Sequence, residues 1–591
     1  MPRRAVLILT IAIAPMLGAA QEPTFPTPSV GASSAALFQL YADYWNWRLS
    51  ESPELATRVG RHEFDDRWRD WSREARARAA DRRREFLQQL LYVNSAGNLT
   101  EANRLTANLL EWELRAALDT ESYNNLVMRV SQMYGAHTEV FSTISAMPAR
   151  TLKDYQNIIA RLRALPKYVD QTIELMGEQL ASGLAQPASV IGLMLEQLAA
   201  QSRPAALESP VLAAFARMPA SVPAADQERL RSEATAAYEQ HFVPGWRRLE
   251  TFLRETYRPK ARPQIALTSV PDGRRLYELA VRFHTTTAMT PEQIHELGLK
   301  EVARIEQEME RIARADGFTG PASEYEQQLA TRPGMRFSSQ QEMLDYARDV
   351  LTRLEPALPR LFKRLPEMPV RVRPIPADRE ASTASNYEVG TTDGTRPAWF
   401  NMNTYRPREQ VKYPVEAIVI HETVPGHHLQ SALAQEVEGL PEFRKAFSTT
   451  AFAEGWALYA ESLGSELGTV YLEPATRFGR LTTEQFRAVR LVVDTGMHAM
   501  GWSRDRAREY FRQHVPGQSI AEVDRYIAWP GQALAYKVGE LKIRELRARA
   551  EKELGTRFDV REFHDVVLRN GRLPLDMLED QVERYIGSRK P

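Results

Sequence analysis

An apolar run that ends in a cluster of histidines constrains this chain more than any other stretch. Val415 to Ile420 carries a single charge, Glu416, and leads into His421-Glu422-Thr423-Val424-Pro425-Gly426-His427-His428, which holds three of the eleven histidines. Such a run reads as a helix driven into the core, so the fold must bury titratable groups at its end. Two imidazoles near a carboxylate are what a zinc hydrolase needs: neutral nitrogens hold the metal, and the carboxylate takes a proton from the attacking water.

The spacing departs from H-E-x-x-H, in which the two histidines stand at i and i+4 on one helical face. Here position i+4 is Pro425. On an unbroken helix His428 would face the same way as His421. Pro425 has no N–H to donate to the His421 carbonyl, however, and its ring crowds that oxygen. Gly426 then admits backbone angles that other residues resist. The expectation is a local bulge that re-aims the next histidine. His421 and His427 are then the first two ligands, with His428 as the alternative to His427 and Glu422 as the base. Packing of a helix end is the bland reading, and it suits a lone histidine better than three.

A third ligand is expected from Phe452-Ala453-Glu454-Gly455-Trp456-Ala457-Leu458-Tyr459-Ala460-Glu461, which reads as a buried helix. Glu454 and Glu461 stand two turns apart on one face. Carboxylates are rarely buried without a charge partner or a metal. Glu454 completes a His, His, Glu set with one open position, as in catalytic metal sites. Glu461 then orients a ligand from behind. Further on, Asp494 and His498 are spaced i, i+4 on an expected helix, so they can pair. His498 is a candidate donor to an oxyanion, against the alternative of a structural ion pair. Tyr536, in the helix that follows Trp529-Pro530-Gly531, is a second candidate donor, with a core tyrosine as its alternative.

These motifs together resemble the bacterial family called domain of unknown function 885. They are H-E-T-V-P-G-H-H-L-Q, F-A-E-G-W-A-L-Y-A-E, V-V-D-T-G-M-H and W-P-G-Q-A-L-A-Y-K-V-G. Near the start, Pro53 to Gly60 followed by Asp65-Asp66-Arg67 looks like that family's opening signature. The family in turn resembles the Taq-type metallocarboxypeptidases and, more distantly, angiotensin-converting enzyme and the thimet-type oligopeptidases. The resemblance implies a mostly helical body split by a deep groove, with zinc at its floor and a peptide as substrate. His421 and Glu422 match the first ligand and the base of those peptidases directly. Glu454 matches their downstream glutamate in role.

Composition narrows the rest. With 76 basic and 76 acidic residues and no basic stripe, nucleic acid is not an expected partner. Residues 1–20 read as a signal peptide, with Arg3 and Arg4, an apolar run from Ala5 to Leu17, and Gly18-Ala19-Ala20. A periplasmic or secreted protein is expected, without stable membrane insertion, since no apolar stretch is long enough to span a bilayer. The chain has 0 cysteines, which leaves no lipid-attachment site and no disulfide.

Residues 21–35, rich in Pro, Ser and Thr, read as an unstructured lead-in. Residues 36–272 read as an N-terminal helical region and 273–591 as the catalytic helical region, so the fold class is mainly α. Thr290-Pro291-Glu292 caps a long helix to about Ala315. Met368 to Pro376 alternates as a strand. Ser385 to Thr404 reads as a hairpin turning at Asp393-Gly394, with Pro397 to Thr404 as its second strand. A strand edge there would pair with an extended peptide, and Asn401, Asn403 and Tyr405 lie at its end nearest the histidines.

The expected activity is zinc-dependent hydrolysis of short peptides. The alternatives are a zinc amidohydrolase acting on a non-peptide amide and a metal-stabilised binding or scaffold protein. The sequence leaves open whether cleavage is terminal or internal. For a carboxypeptidase, Arg480, Arg490, Lys537 and Arg544 are all available as the cation for a terminal carboxylate.

Overall fold

The computed structural model describes residues 32–95, 99–121, 123, 131–376, 380, 383–391 and 396–590. The expected signal peptide, most of the lead-in, and the Asp393-Gly394 turn lie outside the described residues. Helix α1 (Ala32–Glu51) begins inside the stretch read as lead-in.

The molecule is mainly helical with one small sheet. Helix α2 (Leu152–Ala181) opens on a reciprocal cap between Thr151 and Asp154 and anchors an apolar core drawn from residues 68–257. The helix Ala136–Ala146 joins that core, whereas the helices before Thr120 pack elsewhere. Leu37, Tyr44 and Phe86 cluster with Phe443, and Leu105, Leu109 and Tyr123 join the core that continues from Leu267 to Ile586. The segment between Pro259 and Gly273, where the two expected regions meet, packs against the C-terminal end of the helix Pro474–His498. The Leu267 N–H donates to His498 Nδ1 at 3.0 Å, and Thr268 Oγ1 donates to the His498 carbonyl at 2.7 Å.

Helix α3 (Pro291–Ala315) has the expected cap: Thr290 and Gln293 satisfy each other's backbone N–H groups, and Pro291 fills the first turn. Three short strands follow, β1 (Val370–Pro374), β2 (Asn386–Glu388) and β3 (Ala398–Met402). Their order is β1-β3-β2, with β1 parallel and β2 antiparallel to β3. The second strand of the expected hairpin is thus central. Any edge for a peptide belongs to β1 or β2. Asn401 and Asn403 brace the sheet and its approach: Asn401 Oδ1 accepts from Arg373 Nε at 2.6 Å, and Asn403 Nδ2 donates to the carbonyls of Glu380 and Thr383.

Five helices frame the histidine cluster: α4 (Val415–Glu422), α5 (His427–Glu436), α6 (Thr450–Leu467), α7 (Pro474–His498) and α8 (Ala535–Leu554). Two close approaches lock them. A Cβ on Gly455 of α6 would lie 2.5 Å from Gly539 Cα of α8, and one on Gly298 of α3 would lie 2.7 Å from Leu491 Cβ of α7. Side chains at either glycine would force the helix pair apart.

Candidate metal centre

Helix α4 is buried nearly all round, so its one internal charge needs a partner. Glu416 receives Arg353 Nη2 at 3.0 Å and the Tyr471 N–H at 2.7 Å. The helix ends at Glu422, and the chain then folds back over its own last turn. The Gly426 N–H donates to the Ile420 carbonyl at 3.1 Å, and the His428 N–H to the Thr423 carbonyl at 3.1 Å. A Cβ at Gly426 would sit 2.1 Å from the His421 oxygen, so only glycine permits this return. The Val424–Pro425 peptide is cis. The break is therefore larger than the expected bulge: one helix stops and a second begins at His427. Trp456 of α6 holds the break from the other side, donating from Nε1 to the Pro425 carbonyl at 2.9 Å.

This arrangement brings His421, His427 and Glu454 together, each offering a donor atom within 4.8 Å of the others. His421 Nε2 lies 3.5 Å from Glu454 Oε2, and His427 Nε2 lies 3.3 Å from the same oxygen. The edge of a tetrahedron built on zinc–ligand bonds of 2.0–2.2 Å is about 3.4 Å, so both separations fit a shared cation. Behind His421, Nδ1 donates to Glu461 Oε1 at 2.8 Å. Glu461 is held in turn by Thr483 Oγ1 and by Arg487 Nη2, the latter at 3.5 Å. Thr483 and Arg487 stand one turn apart on α7 and were not singled out from the sequence. Arg487 stands among the charges Glu484 and Arg490 of the same helix, so nothing local sets it apart.

His428 points elsewhere. Its Nε2 is 2.8 Å from the Met368 carbonyl and its Nδ1 is 3.2 Å from the Tyr387 hydroxyl of β2, so both nitrogens are engaged away from Glu454.

The electrostatics follow from burial and from what faces each group. Burial alone would lower the pKa of His421, but Glu454 and Glu461 outweigh it and lift it to about 9. Glu454 would be raised by burial, yet the two imidazoles hold it well below the usual carboxylate range. Glu422 is raised, chiefly by burial, with the imidazoles opposing and Glu454 adding to the shift. Three carboxylates thus share the region with two permanent cations, Arg487, which pairs with Glu461, and Arg572, whose charge acts on Glu454 without contact. That excess of negative charge is what a divalent ion would neutralise.

His498 does not have the role expected of it. It accepts the Leu267 N–H at Nδ1 and faces the Tyr526 carbonyl with Nε2 at 3.0 Å, which leaves no N–H for an oxyanion. Nor does it pair with Asp494, whose carboxylate receives the Tyr277 hydroxyl at 2.6 Å and the Gly531 N–H at 3.1 Å. Burial keeps His498 neutral, pushing it down to about 4, and lifts Asp494 to about 7. The pair is core architecture. Tyr536 is 9% exposed, with Arg490 stacked on its ring and Arg525 Nη2 3.5 Å from its hydroxyl. Among the described residues, no contact joins it to the three clustered side chains.

Each of the four cations considered for a terminal carboxylate already has an acidic partner, though Arg490 Nη1 is left without one. Arg480 pairs with Glu484, Arg490 with Glu522, Lys537 with Glu301, Glu484 and Glu540, and Arg544 with Glu540.

No curated protein matches the chain. Among solved structures, "the putative lipoprotein from Colwellia psychrerythraea" is similar over 95% of this chain and 100% of its own, at 27% identity and a TM-score of 0.89. "A putative lipoprotein of unknown function from Shewanella oneidensis" shares the fold, at 18% identity and a TM-score of 0.66 over 93% of this chain and 99% of its own. The family described as "Bacterial protein of unknown function (DUF885)" matches residues 53–582, a span that takes in the Pro53 signature and every motif of the histidine cluster. The chain belongs to that family.

Proposed function

We propose that this protein is a zinc-dependent hydrolase that cleaves peptide bonds of short peptides. The convergence of His421, His427 and Glu454 beside a half-buried glutamate, Glu422, carries this reading. His421, His427 and Glu454 would hold the ion. Two imidazoles and one carboxylate suit zinc better than magnesium or calcium, which prefer all-oxygen shells. Zinc, when bound, supplies Lewis-acid polarisation of the scissile carbonyl and makes water acidic near neutral pH. Glu461 keeps His421 in the tautomer that leaves Nε2 free. Glu422 accepts the proton of the attacking water and returns it to the leaving amine; its raised pKa suits both transfers. Tyr536 stays the candidate oxyanion donor, beside Arg525. The groove and the kinship with zinc carboxypeptidases belong to this same reading, supported by the motifs that match those peptidases. Export is part of it too, supported by the signal-like residues 1–20 and by the lipoprotein names of both similar structures. No described helix is long and apolar enough to cross a membrane.

The test has two parts. Elemental analysis of the purified protein should find close to one zinc per chain, and a chelator should abolish peptide cleavage. Glu422→Gln should then keep the zinc and lower turnover by about 10²–10⁴-fold, the usual loss when a general base is removed. A protein without transition metal whose cleavage ignores chelators overturns the reading. So does a Glu422→Gln variant with unchanged turnover.

A further inference from the structure

One cation near the cluster is unlike those already accounted for. Arg572 follows Gly571, whose φ of +69° turns the chain. Its Nε donates to Gln430 Oε1 at 3.3 Å and its Nη2 to Ser431 Oγ at 2.7 Å. Both partners are neutral, and both sit on α5, the helix that begins with His427. Among the described residues, no carboxylate pairs with Arg572 and no protein group meets its Nη1. Its charge and that of Glu454 act on one another. A guanidinium held by neutral groups, with one face of its fork unused, is suited to bidentate binding of a carboxylate.

Arg572 opens on a cavity of about 470 Å³. The cavity also takes in Ser431 and Gln435 of α5, and Arg58, Arg61 and Lys445. Arg61 has its own acid in Glu63 and Lys445 has Glu442, which leaves Arg58 and Arg572 as the unmatched charges of the lining. Arg58 comes from the Pro53–Gly60 signature, which the metal cluster does not use. Buried Glu54 of that segment accepts the Arg69 N–H at 3.0 Å, and Thr57 donates to Asp65 at 2.5 Å, so the segment is fixed in place. Gly60, at φ +85°, turns the chain so that Arg58 and Arg61 both reach the cavity. The volume falls in the range of small-ligand cavities, roughly 300–1,000 Å³. It would take the end of a peptide rather than a long chain.

We propose that Arg572 binds the C-terminal carboxylate of the peptide, so that hydrolysis releases residues from the C-terminus. This inference rests on the peptidase reading of the His421–His427–Glu454 cluster. In the reaction, the acyl carbon gains the hydroxyl of water as the C–N bond breaks, and the amine of the released C-terminal piece gains the proton that Glu422 carries. Arg572 takes no part in these transfers. It sets which bond reaches them.

The experiment compares a mixed peptide library bearing free C-termini with the same library amidated, using zinc-loaded full-length protein and mass-spectrometric product analysis. Wild type should consume the free acids at least about tenfold faster, trimming from the C-terminus, since a hydrogen bond to a charged group contributes about 10–100-fold. Arg572→Gln should lose that factor on free acids, so that it consumes the free and amidated libraries at similar rates. Arg572→Lys, which keeps the charge without the fork, should retain part of the preference. Zinc content is measured for each protein. Equal consumption of the two libraries by wild type overturns the inference, as does an intact preference in zinc-loaded Arg572→Gln. If Arg572→Gln loses its zinc, the arginine serves to position α5, and the inference falls unless Arg572→Lys keeps zinc together with a preference for free acids. Wild type that carries zinc and cleaves neither library is a different result: it defeats the peptidase reading itself and takes this inference with it.

Discussion

Two clusters of buried charge lie on adjoining helices, and they differ in one respect. The first joins α3, α7 and α8. Lys537 Nζ lies 3.1 Å from Glu301, 2.8 Å from Glu484 and 2.7 Å from Glu540. Arg304 and Arg480 also meet Glu484, and Arg544 meets Glu540. With Glu308, which also meets Arg304 and Arg480, four carboxylates face four permanent cations. The second joins α4, α5, α6 and α7, where Glu422, Glu454 and Glu461 share with two imidazoles only Arg487, in contact with Glu461, and Arg572, which acts on Glu454 without contact. Lys537, Glu484 and Glu540 are fully buried and His427 and Glu454 partly so, and burial alone does not separate a site from a strut. Residual charge does. The first is closed, with every carboxylate matched, whereas in the second Glu454 faces only imidazole nitrogens.

The comparison predicts opposite responses to truncation, and the largest is at the open cluster. His427→Ala should lose zinc and turnover together, beyond the 100-fold range, because two protein ligands hold the ion poorly. His428→Ala should keep the metal, since both of its nitrogens are engaged by Met368 and Tyr387 rather than by Glu454. Elemental analysis of the two variants decides it. Zinc retained in His427→Ala and lost in His428→Ala would mean that the break after Glu422 does not set which imidazole faces Glu454.

The closed cluster should respond in stability instead. Lys537→Met leaves three buried carboxylates short of their shared cation, and breaking such a network costs about 3–5 kcal/mol. Denaturant or thermal unfolding should show the loss, with zinc content unchanged. A Lys537→Met variant that folds normally but no longer binds zinc would erase the distinction between the clusters.

The sequence carried a good part of this, though unevenly. The helical body was legible because breakers and caps are local: Thr290-Pro291 starts a helix wherever it packs. The end of α4 was legible in kind, since Pro425 cannot continue a helix. Its extent was not, because folding Gly426 back onto the Ile420 and His421 carbonyls depends on Trp456 clamping the other side. His498 shows the opposite failure. An aspartate and a histidine at i, i+4 look like a functional pair, yet each is consumed by the junction around Leu267 and by Gly531, contacts 231 and 37 residues away in sequence. Arg572 went unnoticed for the same reason: what marks it is the absence of an acidic neighbour, and neighbours across 141 residues are not written locally.

The smallest expected effect sharpens the comparison from inside the open cluster. Glu461 supports His421 without touching the proposed ion, so Glu461→Gln keeps an acceptor for Nδ1–H and removes only the charge. Loss of such a supporting partner costs about 10–100-fold in metal affinity. The effect should depend on pH, and its sign can be worked out. The proton and the metal compete for the same Nε2, and in the metal-free protein Glu454 and Glu461, against burial, raise the His421 pKa to about 9. Below that pH zinc must displace a proton, so wild-type affinity rises with pH up to about 9. Removing the Glu461 charge weakens proton binding along with zinc binding. The two losses partly cancel in acid and do not cancel in alkali. The affinity gap between wild type and Glu461→Gln should therefore be narrow near pH 6 and reach its full width only above pH 9, as read by competition with a chromophoric chelator. A gap of constant width would mean that Glu461 orients the ring without setting its basicity, and the excess negative charge would then be borne by Glu422 and Glu454 alone.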